Sequence, residues 1–233
     1  MDKVKKHFGR VLTEEEKQQI INKRKNYSVD FSKIDSPFNA YFIGLMYTDG
    51  YVCDDNKFGI DLVDEDAIKF ISEITGKKYS HYEEKDKQDR FRIIFSDKNQ
   101  IENLKRYHIT KRKTFTIKGF DFTEEEEIYL PYLVRGIIDG DGCIYTTSYG
   151  KPAFYISSKS EEFMNWIAYI LSHRFYMKDI QVNKTQDDMW KIETAQEDNI
   201  NILRILIYNK PYGMARKYNK LRETLNDYNR SIQ

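Results

Sequence analysis

Apolar positions along the chain change their period several times, and each change marks an element. Tyr41 to Met46 is apolar almost without a break, which suits a buried helix. Beyond Gly50 the pattern turns to short alternating runs at Tyr51–Cys53 and Phe58–Val63. There Phe58, Ile60 and Leu62 alternate with Gly59, Asp61 and Val63, as in a half-buried strand. A helix pattern covers Asp64–Ile74. Strands fit Lys77–Glu84 and Arg90–Ser96, where Phe91, Ile93 and Phe95 alternate with Arg90, Arg92 and Ile94. A helix then runs over about Asp97–Tyr107.

The same succession then repeats. Tyr41-Phe-Ile-Gly-Leu-Met-Tyr-Thr-Asp-Gly50 is matched by Leu133-Val-Arg-Gly-Ile-Ile-Asp-Gly-Asp-Gly142, each with Gly, four residues, then Asp-Gly. Strands follow at Cys143–Tyr149 and Ala153–Ser157, a helix at Glu161–Phe175, strands at Ile180–Thr185 and Met189–Thr194, and a helix at Glu197–Tyr208. A last helix closes the chain over Met214–Tyr228. The expected fold is therefore α/β of the α+β type, with two pseudo-symmetric αββαββα halves. The divisions are an N-terminal extension at 1–35, a first half at 36–122 and a second half at 123–233. Thr13-Glu-Glu-Glu16 reads as a capping box that opens a polar helix to about Lys25. Ser36-Pro37 is a helix-start pair. Thr123-x-x-Glu126 is a second capping box, and Pro131 sets the start of the second apolar helix.

Composition narrows the class without naming it. Of 233 residues, 40% are hydrophobic and 32% charged, an ordinary globular balance. No apolar run approaches the roughly 20 residues that span a bilayer, and the N-terminus has no secretory apolar core. The expectation is an intracellular protein with no membrane partner. Cys53 and Cys143 have no partner spacing for a zinc site or a disulfide framework. A net charge of +1 is low for a nucleic-acid binder, but the basic residues cluster. Lys105, Arg106, Lys111, Arg112, Lys113 and Lys118 crowd one segment, and Lys210, Arg216, Lys217, Lys220 and Arg222 another. The acids sit in blocks such as Glu14–Glu16 and Glu124–Glu127, so basic patches are compatible with a neutral total.

The two apolar helices carry the candidate chemistry. Gly44 and Thr48 lie four apart, as do Gly136 and Gly140, so each pair lays small residues along one helix face. Two such faces let backbones approach, with Leu45 and Ile137 turned to flanking cores. Glycine inside a helix costs about 1 kcal/mol relative to Ala, so its recurrence at one site favours a packing role. Asp49 and Asp141 each end a helix, with Gly50 and Gly142 suited to a left-handed cap. An acid at that end is unfavourable by about 0.3–1 kcal/mol, and pairing the helices adds repulsion between the two. A divalent cation relieves both, and oxygen ligands suit Mg²⁺. Two such acids can hold metals that activate water and stabilise the leaving oxygen of a phosphodiester.

Phe42–Gly50 and Val134–Gly142 resemble two copies of the LAGLIDADG motif of homing endonucleases, and the resemblance extends over about residues 38–225. It implies motif helices paired about a pseudo-twofold axis, with an antiparallel sheet from each half laid in the DNA major groove. It implies metal bound at Asp49 and Asp141, with Gly50 and Gly142 as further metal-site residues. Mg²⁺ or Mn²⁺ would serve, and Ca²⁺ would occupy the site without supporting cleavage. Both strands would be cut across the minor groove, leaving short 3′ overhangs. The family's basic residue near the metals maps to Lys113 and Lys217, in the segments after each half's last helix. Thr48 stands where the motif has Ala, and Tyr47 where it has an inner acid; the second half keeps that acid as Asp139.

Strand alternation nominates the DNA-facing side chains. In half two these are Tyr145, Thr147 and Tyr149, then Tyr155 and Ser157, then Gln181, Asn183 and Thr185, then Lys191 and Glu193. In half one they are Cys53, Asp55, Lys57, Asp61, Arg90 and Arg92, with Lys77, Tyr79 and His81 on the third strand. Arg and Lys suit guanine, Gln and Asn adenine, and carboxylates cytosine. A slip of one residue inverts a strand's whole set. The halves differ, so the expected partner is double-stranded DNA with a long asymmetric site, bound by a monomer. The function this implies is a metal-dependent homing endonuclease serving intron homing. The alternatives are an RNA-splicing maturase, or a sequence-specific DNA-binding protein without cleavage.

Overall fold

The structure is a computed structural model and describes residues 29–83, 88–208 and 213–231. The capping box at Thr13 and its helix to Lys25 lie outside the described residues, as does Lys210.

Helix α1 (Pro37–Thr48) starts as its sequence predicts. Ser36 Oγ accepts from the Asn39 N–H at 3.2 Å, and Pro37 occupies the first turn. Every residue from Phe38 to Tyr47 is buried, so the helix is central rather than amphipathic. Its counterpart, α5 (Leu130–Asp141), has Pro131 in its first turn. Just before it stands the short α4 (Glu124–Glu127), which opens on a complete capping box between Thr123 and Glu126. The Glu126 carboxylate also accepts from the Ile34 N–H and from both terminal nitrogens of Arg106, at 2.6 Å each. One side chain thus ties together the lead-in to α1, Arg106 and the start of the second half.

Around these two helices the halves repeat. Half one continues with β1 (Gly50–Val52), β2 (Lys57–Leu62), α2 (Glu65–Thr75), β3 (Tyr79–Tyr82), β4 (Arg90–Ser96) and α3 (Lys98–Lys105). A 3-10 turn at Lys113–Phe115 follows. Half two continues with β5 (Gly142–Thr146), β6 (Pro152–Ser158), α6 (Glu161–His173), β7 (Val182–Lys184), β8 (Trp190–Thr194) and α7 (Glu197–Ile202). A π-helical turn, Leu203–Tyr208, extends α7, and α8 (Ala215–Ser231) ends the described chain. Both sheets are four-stranded and antiparallel, in the orders β1-β2-β4-β3 and β5-β6-β8-β7. Gly50 pairs with Ile60 and Gly142 with Ile156, so the motif glycine holds the same register in each sheet.

One face of each sheet supplies core: Phe58, Ile60, Leu62, Ile93 and Phe95 in half one, and Ile144, Phe154, Ile156 and Ile192 in half two. Residues on the opposite face, such as Asp61, Arg90, Arg92, Tyr145 and Lys191, are only half-buried. Among the described residues no helix is long and apolar enough to cross a membrane.

Three expectations change at this level. The strand expected at Cys143–Tyr149 stops at Thr146. Thr147 and Tyr149 belong to the hairpin turn, where the Gly150 N–H donates to the Thr147 carbonyl at 2.9 Å. The third strand of half one is turned over relative to the expected alternation. Tyr79 pairs with Ile93 and His81 with Phe91, so they lie on the core face, and the His81 ring stacks on Phe91 at 4.8 Å. Ser80 and Tyr82 take the outer face instead. Finally, Gly50 and Gly142 are not left-handed caps. Gly142 is extended (φ −81°, ψ 154°) and both glycines begin strands. What they lack room for is a Cβ, which would lie 2.5 Å from the Met46 Cα at Gly50 and 2.5 Å from the Ile138 carbonyl oxygen at Gly142. The strand folds back directly over the last turn of its helix.

Candidate active site at the helix seam

Helices α1 and α5 pack along their small-residue faces. A Cβ on Gly44 would lie 2.9 Å from the Gly136 Cα and closer still to the Leu133 carbonyl oxygen. A Cβ on Gly136 would meet Tyr41 and Gly44 in the same way. Further along, Gly140 lies against Thr48 and 2.6 Å separates its hypothetical Cβ from Asp49 Oδ2. Leu45 and Ile137 are fully buried in the flanking cores. The helices therefore run backbone against backbone and end together, which brings Asp49 and Asp141 to one end of the seam.

The two acids share an unfavourable environment. Asp49, half-buried, accepts from the Thr48 hydroxyl at 3.2 Å. Desolvation raises its pKa, and Thr48, Lys217 and Lys113 oppose the rise. Asp141 is exposed, yet the protein around it strips enough water to raise its pKa. The charge on Asp49 adds to this, and the net value is about 6 despite Lys113 and Lys217.

Both lysines are buried in the seam, at 8% and 6% exposure. Lys113 Nζ donates to the Thr48 carbonyl at 3.1 Å, at the end of α1. Lys217 Nζ donates to the carbonyls of Ile138, Gly140 and Gly142 at 2.7, 3.1 and 2.5 Å, at the end of α5. A cation there satisfies orphan carbonyls and the negative helix end together. Burial lowers both lysine pKa values, and the acids push the other way. The site thus consists of two carboxylates and two ammonium groups arranged by near-symmetry. Among the described residues no group of three or more His, Cys, Asp or Glu side chains is placed to hold a metal. The described protein groups thus offer two acids and no closed cage around them.

Outside the seam, the outer sheet faces hold mixed polar groups. In half one, Asp61 accepts from Arg90 Nε at 2.7 Å and from Arg92 Nε and Nη2 at 2.8 and 2.5 Å. The Arg92 guanidinium lies 4.8 Å over the Tyr82 ring. Asp61 therefore holds two arginines, and at 12% exposure its carboxylate has little left to offer a ligand. Lys57 lies on this face too and pairs with Asp55. In half two, Glu193 accepts from Tyr145 Oη at 2.5 Å and Lys191 Nζ at 2.8 Å, and Lys191 lies 4.2 Å over the Tyr155 ring. Asn183 pairs with Lys191 on the same face. Gln181 and Thr185 flank the short β7, and Tyr149, 90% exposed, tips the hairpin.

The family profile described as a LAGLIDADG-like domain matches residues 131–211. The solved structure of the LAGLIDADG homing endonuclease I-GzeII in complex with its DNA target is similar, with a TM-score of 0.56 and 13% identity, over 84% of this chain and 91% of that one. The I-LtrWI LAGLIDADG homing endonuclease bound to target DNA gives 0.54 and 12%, over 84% and 91%. I-SmaMI bound to an uncleaved DNA target in the presence of calcium ions gives 0.53 and 13%, over 84% and 92%. A search of curated proteins gave no match.

The chain has the LAGLIDADG fold.

Within that fold, several outward residues escape the sequence reading. Tyr51 pairs with Gly59 on the outer face of β1 and β2, and Ser80 and Tyr82 border Arg92 and Arg90. Tyr51 lies two places before Cys53 and so shares its face, and β3 is too polar on both sides for alternation to fix its phase. The LAGLIDADG helix pair itself is legible because glycine recurs at the same place in each copy.

Proposed function

We propose that this chain is a site-specific double-strand DNA endonuclease that uses a divalent cation. The observation that carries the reading is the meeting of Asp49 and Asp141 at one end of the helix seam, each desolvated and each flanked by a buried lysine. Stability does not favour two carboxylates at paired helix C-termini, so the arrangement calls for positive charge from outside.

The donor set fits Mg²⁺ or Mn²⁺. Such ions keep several waters and take one or two carboxylates together with phosphate oxygens, rather than a complete protein cage. Asp49 and Asp141 would hold the cation, with Gly50 and Gly142 beside them, and Ca²⁺ would bind there without supporting cleavage. A divalent ion there supplies activation of water and stabilisation of the leaving oxygen. The chain's own part is to fix the two acids through the Gly44–Gly136 packing and to set Lys113 and Lys217 where negative charge develops on the phosphate.

The outer sheet faces suit base reading in a major groove. Arg90, Arg92 and Lys57 in half one differ from Tyr145, Tyr155, Asn183 and Lys191 in half two. Different donor and acceptor sets on the two halves imply an asymmetric target read by one chain. The resemblance to LAGLIDADG endonucleases adds cleavage of both strands with short 3′ overhangs and a role in intron homing to this reading.

The test is a cleavage selection on a randomised duplex library with Mg²⁺, including the sequence that flanks the gene. Recovery of one long asymmetric site, cut in both strands with Mg²⁺ and left intact with Ca²⁺, supports the reading. Affinity for that site should fall steeply with salt as counterions are released. Absence of any cut site, or affinity flat between low and physiological salt, overturns it.

A further inference from the structure

In each half, the residue two places before the acid reaches the segment that carries the lysine, and the two halves use hydrogen bonds of opposite polarity. In half two that residue is Asp139, whose side chain is fully buried. Its Oδ2 accepts from Arg135 Nε at 3.0 Å, the Met214 N–H at 2.9 Å and the Tyr41 hydroxyl at 3.2 Å, and its Oδ1 from the Tyr208 hydroxyl at 3.3 Å. Met214 stands immediately before α8, and the Tyr218 N–H donates back to its carbonyl at 3.2 Å. The next three residues are held in turn. The Ala215 N–H donates to Asp66 at 2.7 Å, Arg216 makes two bonds to Asp64 at 2.9 and 2.8 Å, and Lys217 sits on the carbonyls at the end of α5. Gly213 (φ 123°) precedes them, and a Cβ there would strike the Arg135 guanidinium.

In half one the equivalent residue is Tyr47, 3% exposed. Its hydroxyl donates to the Tyr107 carbonyl at 2.7 Å, and its ring stacks on Phe163 of the other half at 5.1 Å. Tyr107 closes α3 and opens the turn that leads to Lys113, a turn shaped by positive φ at His108 (56°) and Arg112 (54°). Here the strap offers an acceptor, so a carboxylate in place of Tyr47 would face a carbonyl oxygen. In half two the strap offers a donor, and the carboxylate matches it. The departure of Tyr47 from the repeat is thus matched by the group it meets.

We propose that Tyr47 and Asp139 are positioning residues, each setting its own half's lysine, Lys113 and Lys217 respectively, against the end of its own motif helix. The catalytic meaning of that positioning rests on the nuclease reading, whereas the positioning itself does not.

The test is residue-by-residue labelling of lysines with an N-hydroxysuccinimide acylating ester, read by mass spectrometry on the full chain and on Tyr47→Phe and Asp139→Asn. Both lysines, being buried, are expected to react slowly in the parent chain. Loss of one buried hydrogen bond at the strap favours its local opening. Tyr47→Phe should raise labelling of Lys113 by about tenfold and leave Lys217 unchanged, and Asp139→Asn should do the reverse. Unchanged rates, or both lysines rising together in each variant, overturn the proposal. Should Asp139→Asn fail to fold because Arg135 loses its buried partner, Tyr47→Phe, which removes one oxygen, decides alone. Cleavage assayed on the same samples separates the two ideas. A parent chain that cuts no DNA sinks the nuclease reading and leaves the labelling result standing.

Discussion

Gly44 and Gly136 meet across the seam so closely that a Cβ on either would lie 2.9 Å from the other's Cα. The neighbours are backbone, not the ends of flexible side chains, so neither helix can yield locally. Gly44→Ala gains about 1 kcal/mol of helix propensity and forces the helices apart, and overpacking of this kind costs about 1–3 kcal/mol. The expected result is a net loss toward the upper part of that range less the propensity gain, about 1–2 kcal/mol, read as a lower urea midpoint. A midpoint equal to or above that of the parent would show that the seam tolerates separation.

The seam also makes stability depend on pH in an unusual direction. An unfolded aspartate titrates near 3.9, whereas burial and the Asp49 charge bring native Asp141 up to about 6. Between those values the native chain holds the extra proton, so Asp141 makes stability fall as pH rises from about 4 to about 6. Asp141→Asn removes this contribution. Its melting temperature should exceed that of the parent above pH 6, with the gap closing toward pH 4. Glu126 works oppositely. Burial raises it, but Arg106 and the N–H groups of Ile34 and Thr123 outweigh that and hold it at about 2. Its contribution is present above about 4.5 and is lost as pH falls toward 2, a window that Asp141→Asn leaves unaltered. Parallel melting curves for Asp141→Asn and the parent across pH 4–7 would contradict the account of the seam.

Cleavage should show the converse. Asp49→Asn or Asp141→Asn removes a carboxylate proposed to hold the metal and relieves repulsion at once. Each is expected to abolish double-strand cleavage while leaving DNA affinity within about tenfold, roughly 1.4 kcal/mol. Neither side chain belongs to the outer sheet faces that would read bases. Full cutting by either variant, measured with Mg²⁺ on the selected site, would remove both from the catalytic assignment.

How much of this the sequence reveals depends on how strongly each feature is constrained. The repeat, the motif helices and the core strands are legible because Phe58, Ile60, Leu62 and their counterparts must alternate against a packed core. The acids are legible because Asp-Gly recurs after the same glycine spacing. The phase of β3 is not, since Tyr79, Ser80, His81 and Tyr82 offer no contrast between faces and only the pairing with β4 decides. The roles of Gly50 and Gly142 are misread for a related reason: a helix-ending glycine suggests a left-handed cap, and the real constraint is a close backbone approach from elsewhere in the fold. Asp61 illustrates a third limit. It stands on the outer face, as alternation says, but Arg90 and Arg92 converge on it from a strand distant in sequence and occupy its carboxylate, which alternation cannot show.

The two seam lysines, alike by symmetry, should separate in their effects. Lys217 satisfies three carbonyls at the end of α5, and Lys113 one at the end of α1. Replacement by Met keeps the apolar stem and removes the ammonium donor from those acceptors, of which the Ile138 carbonyl keeps the Gly142 N–H. Each buried acceptor left without a donor costs about 1–3 kcal/mol, offset in part because no ammonium need be desolvated. Lys217→Met should therefore destabilise the chain more than Lys113→Met, by about 2 kcal/mol in denaturant titrations. The order reverses for the titration of Asp141, on which Lys113 exerts the larger lowering influence of the two. Lys113→Met should move the acid limb of the cleavage profile to higher pH by more than Lys217→Met does, because ionised Asp141 loses its stronger counter-charge. If one lysine dominated both stability and the acid limb, the division of labour between them would be wrong. The ammonium groups would then act on the acids only through the fold they hold together.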